Sequence, residues 1–577
     1  MRQGRTVINR ISRAAIAAVV LSLTAPLPVV ADTSAGAYLA GRQALYSSDF
    51  EAAAGYYSRA MVRDRENPAL KENLVVAQVA AGRLDKALAV AQLMEAEGLR
   101  SQVAHMAVVA NLIAEGDYAA ILDRDEETLG IGPLVDGLVE AWAAFGNGDR
   151  EAAMARFDAV AEQNGLRTFA MYHKALALAS AGDFEAAEAI FTVDNGGLSR
   201  MSRRGAIARA EILSQLGRND DALDMLGEAF GAGFDPGLTA VADRLVAGET
   251  LPFSHVTTVR EGMAEVFYSI GQALKGEASD DYALVYARVA SFLRPEHIDA
   301  LLLSAELLDN LRQYDLAVAT YRQVPASSPD YHAAELGRAE ALRRAAKPDA
   351  AIEVLERLAG DYPTLPIVHS SLGDLLRQQE NYKGAVAAYD RAIEYSEEGA
   401  QSQWFLLYAR GISHERLKDW DAAEADFRQA LELNPEQPQV LNYLGYSLVE
   451  RESQLDEALD MIERAVAARP DSGYIVDSLG WVLYRLGRYD EAVQHMEKAV
   501  ALMPVDPVVN DHLGDVFWAV GRFREAEFQW KRALSFIDPD DTDAEAKPER
   551  IRRKLAVGLD AVLAEEGAEP LKVARDQ

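Results

Sequence analysis

The sequence predicts an all-α solenoid of about fourteen helical hairpins, the first six of them degenerate. Three observations carry that prediction. Small residues recur at a spacing close to 34 along most of the chain. Between them, apolar residues fall at i, i+3, i+4 and i+7, the spacing of one helix face. The 577 residues are 49% hydrophobic and 26% charged, a folded rather than a disordered composition.

Residues 1–31 read as an address label. Arg2, Arg5, Arg10 and Arg13 precede the uncharged run Ala14 to Leu23, and Pro26 and Pro28 close that run. Val29-Val30-Ala31 then offers small residues for a cut before Asp32, the layout of a secretory signal peptide. The apolar run is about half of the ~20 residues a membrane span needs, so cleavage is expected rather than anchoring. The arginines are unpaired, which points to the general secretory route. The mature chain is expected to be soluble and periplasmic.

Residues 32–230 form the degenerate array. Gly41, Val75, Val109, Ala141, Ala175 and Ala210 recur at 34, 34, 32, 34 and 35. Turns at Gly82-Arg83, Gly116-Asp117, Gly182-Asp183 and Gly217-Arg218 separate the paired helices, and Ala53, Ala87, Ala153, Ala187 and Ala222 hold the matching small positions. Ile121 breaks the pattern in the third hairpin. Residues 231–262 lose the period and gain Gly, Pro and Thr, an irregular junction holding a hinge or an odd helix. From 263 to 536 the period is plain: Leu372-Gly373, Leu444-Gly445, Leu479-Gly480 and Leu513-Gly514 mark first helices. Tyr389, Phe427, Met496 and Trp530 fill the second helices, and Pro295, Pro329, Pro435, Pro470 and Pro504 close units. Residues 537–547 are an acidic turn. Glu549 to Ala564 is expected to be one amphipathic helix, with Ile551, Leu555, Leu559, Val562 and Leu563 covering the last exposed apolar face.

These positions resemble the tetratricopeptide repeat, with its 34-residue period and its small, aromatic and Pro sites. The resemblance covers 263–536 well and the first half loosely. It implies a right-handed superhelix whose first helices line a concave groove. The closing repeats look like those of bacterial envelope adaptors, including lipoproteins that bind a carboxyl-terminal processing protease.

Chemistry is mostly missing. The chain has no Cys, which excludes disulfides, thiolate zinc sites, iron–sulfur clusters, cysteine nucleophiles and a lipid anchor on Cys. No Lys is followed by Ser or Thr, as a Walker loop needs. His414-Glu415 has Lys418 where a two-histidine zinc helix needs its second His. Asp538, Asp540, Thr542 and Glu549 mimic a calcium loop, but Asp543 replaces the required Gly and Pro548 intrudes. No enzyme, cofactor or metal is expected. A hydrolase seated in the 231–262 junction is the minor alternative. The net charge of −32 disfavours nucleic acid and anionic membrane, and favours a basic or neutral protein or peptide partner.

The candidate surface lies in three successive first helices. Asn442-Tyr446-Val449, Asp477-Trp481-Tyr484 and Asp511-Asp515-Trp518 occupy the same offsets, on one helical face, with Arg485 beside them. Rings supply contact area and carboxylates supply orientation, the make-up of a peptide hot spot. The competing reading of Trp481, Tyr484 and Trp518 is packing between repeats. Asp477 and Asp511 stand where this family's best-known ligand mode has basic groups, so a basic or amide-rich segment, or a glycan stacked on the rings, fits better. The expected function is a periplasmic scaffold or adaptor, with a scaffold of envelope polysaccharide secretion or cell-wall assembly as the alternative.

Overall fold

The computed structural model describes residues 34–193, 202–231, 234–397, 399–538, 546–568 and 571; the expected signal peptide and most of the acidic turn lie outside them. Among the described residues the chain forms thirty-two helices and no strand. They pair into antiparallel hairpins, beginning with Ser34–Tyr46 against Phe50–Arg63 and ending with Pro507–Ala519 against Phe523–Phe536. No helix among them is long and apolar enough to cross a membrane.

The repeat positions have the steric role their residue types imply. A Cβ on Gly514 would lie 2.4 Å from the Trp530 ring, so only glycine lets the two helices of that hairpin close. Trp530, Phe427, Tyr389 and Met496 are fully buried, as are the alanines four residues before them, Ala526, Ala423, Ala385 and Ala492. The turns follow from charge and handedness. Gly116 adopts a left-handed conformation, and Asp117 then accepts the backbone N–H of Ala120 to start the next helix. Where glycine is absent, Arg312, Glu380, Lys418 and Glu452 take the left-handed position instead.

Two compact units divide between Ala351 and Ile352. In the first unit the third hairpin keeps only a stub for its second helix, Tyr118–Leu122, with Ile121 buried in the alanine position. The 231–262 stretch contains a helix, Pro236–Val246, followed by an extended run. That run is stitched to the Arg203–Gln215 helix: Glu211 accepts the N–H groups of Ser254 and His255, and the Gln215 amide donates to the Leu251 carbonyl.

Hairpin seven departs from simple stacking, in which each repeat touches only its neighbours. Its first helix, Val259–Leu274, packs on Pro133–Gly146 and Arg167–Ser180. Its second helix, Asp280–Leu293, packs on Pro68–Ala80 and Gln102–Glu115. These four are the first helices of hairpins two to five. The Tyr282 hydroxyl donates to Gln102 at 3.0 Å, and Arg288 donates to the Ala80 carbonyl at 3.2 Å. The first unit therefore fills the face of its own array.

In the second unit the expected terminal helix is two helices, Pro548–Val557 and Leu559–Glu566. The break is at Gly558, whose left-handed backbone sits so close to Trp518 that a Cβ would approach the ring to 2.6 Å. Ile551, Leu559 and Val562 are buried as expected, while Leu555 and Leu563 are partly buried.

Candidate binding groove

Within the second unit, a cavity of about 790 Å³ runs across the first helices of four successive hairpins, Gln403–Arg416, Pro438–Glu450, Gly473–Arg485 and Pro507–Ala519. Asn442, Tyr446 and Asp477 from the sequence-derived strip line it. Asn442 is 7% exposed, and its buried Oδ1 has no hydrogen-bond donor.

The rest of the strip is engaged by the chain itself. Trp481 and Tyr484 are 9% and 7% exposed. The Trp481 ring stacks on His512 at 4.0 Å and on Tyr484 at 4.9 Å, and its indole N–H donates to Glu450 at 2.7 Å. Burial, with Asp515 adding to it, pushes the Tyr484 hydroxyl well above its ordinary pKa. Arg485 pairs with Glu452, and Val449 is fully buried. Asp511 and Asp515 both accept from Lys554, at 2.8 and 2.6 Å, in the terminal helix pair. Asp515 also accepts the Trp530 indole N–H, and the Trp518 indole donates to Asp560. Burial raises the Asp511 carboxyl, partly offset by Lys554 and reinforced by Asp515. The nine residues read as one strip are thus split: three border the cavity, and the other six are buried or half-buried against the chain itself.

One size difference explains the split. His512 meets Asp477 at 3.0 Å, and Lys554 plays the same part toward Asp511 and Asp515. At the place equivalent to His512 in the preceding hairpin stands Ser478, whose hydroxyl turns back to the Tyr474 carbonyl. It leaves Asn442 unmatched and the space beside it open. The sequence carried this signal as a small residue one position after Asp477.

Sequence reasoning missed the wall contributed by Trp420, Tyr443, Tyr474, Met503 and Val508. Trp420 starts a second helix and Met503 follows one, so no single-face periodicity connects them with the strip. The cations Lys418 and Arg451 lie in turns and Lys547 lies just before a helix, so they too fall outside that periodicity.

In the first unit the corresponding faces hold a buried polar network. Glu265, 1% exposed, accepts from Arg204 at 2.8 Å, from the Tyr172 hydroxyl at 3.0 Å and from His297 at 3.2 Å. Burial alone would raise its carboxyl, but Arg204 and His255 outweigh that and hold it well below the usual range. The Trp142 indole donates to His173 at 3.4 Å, and the other ring nitrogen of His173 meets Ser269 at 3.2 Å. Burial pushes His173 down to about 4. Among the described residues no cluster of three His, Asp or Glu could hold a metal ion.

A family model described as tetratricopeptide repeat matches residues 38–98, 138–196, 302–366, 370–409, 408–473 and 449–507, more than half of the chain. A second model of the same description matches 203–228. The TPR repeat-containing protein PA4667 of Pseudomonas aeruginosa is 28% identical over 187 residues, a match spanning 32% of this chain and 30% of that protein's length. Among solved structures, the APC/C hetero-tetramer Cut9–Hcn1 aligns over 91% of this chain and 96% of that one, at 14% identity and a TM-score of 0.37. A tetratricopeptide repeat protein from Parabacteroides merdae aligns over 51% and 97%, at 16% identity and a TM-score of 0.35.

Proposed function

Because the chain belongs to the tetratricopeptide repeat family, whose arrays are protein-interaction scaffolds, we propose that it holds partner proteins in the cavity of its second unit. The observation that carries this reading is the cavity that runs across four successive first helices, lined by Asn442 and the Tyr446 ring. A concave face with polar groups and aromatic area can take an extended segment of another chain. The reading needs no reactive group, and the protein does no chemistry of its own.

The place of action is the periplasm, on the strength of the N-terminal arginines, apolar run and small-residue cut site. The narrower role is an adaptor that presents substrates to a carboxyl-terminal processing protease. A role in envelope polysaccharide secretion or cell-wall assembly is the second reading. It draws on Trp420, Tyr443 and Tyr446, three rings lining one cavity, on which a sugar face could stack. Affinity purification from envelope extracts separates the two. Protein partners recovered by the parent chain and lost from the Asn442→Ala, Tyr446→Ala double variant support the adaptor. Retention of cell-wall or capsular glycan with no protein supports the second reading. An unchanged partner set in the double variant contradicts both.

A further inference from the structure

The hydrogen-bonding groups around the cavity are unequally satisfied. Each acid accepts a hydrogen bond, Glu450 and Asp506 from neutral N–H groups. Glu415 accepts the Tyr443 hydroxyl at 3.3 Å and lies 3.5 Å from Arg416. Glu450 takes the Trp481 indole and Asp477 takes His512. Asp506 caps the Pro507–Ala519 helix through the N–H groups of Val508 and Val509, at 2.9 and 3.0 Å. Among the described residues, Lys418, Arg451 and Lys547 line the same cavity with no carboxylate partner, in a chain where acids outnumber bases 90 to 58. Arg451 lies 4.8 Å over the face of Trp420, which orients its guanidinium. Lys418 occupies the left-handed turn position two residues before that ring.

These cations come from separate elements: Lys418 from the turn before Trp420, Arg451 from the end of the Pro438–Glu450 helix, and Lys547 from the residue before the terminal helix pair. A single chain-end carboxylate can satisfy one of them. Tyr446, Met503 and Val508 supply apolar wall in the same cavity. We infer that the occupant of this cavity is an extended internal segment of a partner protein carrying at least two acidic side chains with apolar residues between them. This rests on the groove reading above and reverses the expectation, drawn from net charge, of a basic or neutral partner. Local unmatched charge sets specificity at contact distance, while net charge acts over a longer range that salt screens.

The test is fluorescence anisotropy on the full chain with labelled, C-terminally amidated peptides that alternate leucine with glutamate, glutamine or lysine. The glutamate peptide is expected to bind about tenfold or more tightly than the glutamine peptide, and the lysine peptide not at all. Arg451→Glu combined with Lys547→Glu should remove that preference with helical circular dichroism unchanged, since both side chains are exposed. A free-acid end should bind no better than the amidated end. Equal binding of glutamate and glutamine peptides, or a preference that survives the double reversal, overturns the inference. So does failure of all three peptides while Tyr446→Ala still loses the native partner, an outcome that leaves the groove reading standing. If Asn442→Ala with Tyr446→Ala also keeps the native partner, both fall.

Discussion

The hairpins before Ala351 and those after it share one period and one way of closing, yet they treat their first-helix faces in opposite ways. In the first unit, hairpin seven returns across the first helices of hairpins two to five, and a network around Glu265 locks it there. In the second unit the chain returns only at its end, where Lys554 closes over Asp511 and Asp515, and the space beside Ser478 stays open. Repetition builds the wall in both cases. What fills the wall depends on a few side chains and on where the period is interrupted.

Removing the lock should have the largest effect. Glu265→Ala leaves Arg204 buried without its main counter-charge, a loss of about 3–5 kcal/mol. Denaturant unfolding followed by circular dichroism should show an early transition, and hydrogen exchange should place it in hairpins two to seven. An unchanged transition would mean the first array holds its seventh hairpin by apolar packing alone.

Next is Trp481→Ala, expected to cost about 3 kcal/mol because it vacates a stack between Tyr484 and His512. The same variant in an open groove would be nearly neutral, so a melting shift of less than a degree would return Trp481 to the binding surface.

Acid should separate the units more gently. His173 is held neutral by burial at a pKa of about 4, against an ordinary 6.5. The unfolded chain takes up that proton first, so the full contribution exists above pH 6.5 and is lost as pH falls toward 4. The slope is about 1.4 kcal/mol per pH unit for the single group. His297, also lowered by burial, acts in the same direction. His173→Gln should flatten the pH dependence of the first unit and leave that of the second alone. The smallest effect on stability belongs to Tyr446→Ala, about 1 kcal/mol, since the ring is only partly buried at the cavity wall. Its measure is partner capture, which should fall at least tenfold.

Period and residue type made the hairpins legible, because Gly514 facing Trp530 is a contact between residues sixteen apart on one hairpin. Ile121 correctly marked the stunted third hairpin. The terminal lid was visible through Ile551 and Leu559, but its break was hidden, since Gly558 reads as an ordinary helix residue until Trp518 is brought beneath it. The groove was only half legible. Offsets along one helix place Asn442, Tyr446 and Asp477 on a common face, yet they cannot tell that His512 and Lys554 come from later elements to cover the rest. The self-filling of the first unit depends on contacts between helices more than a hundred residues apart, such as Arg288 with Ala80, and no local pattern encodes them.

The most direct test of the account compares the two faces in one experiment. A photo-crosslinking residue is placed at Tyr446 in one chain and at Gln102, beneath hairpin seven, in another, and both are irradiated in intact cells. The account predicts partner adducts from position 446, with only crosslinks within the chain from position 102. Partner adducts from position 102 with none from 446 would contradict it.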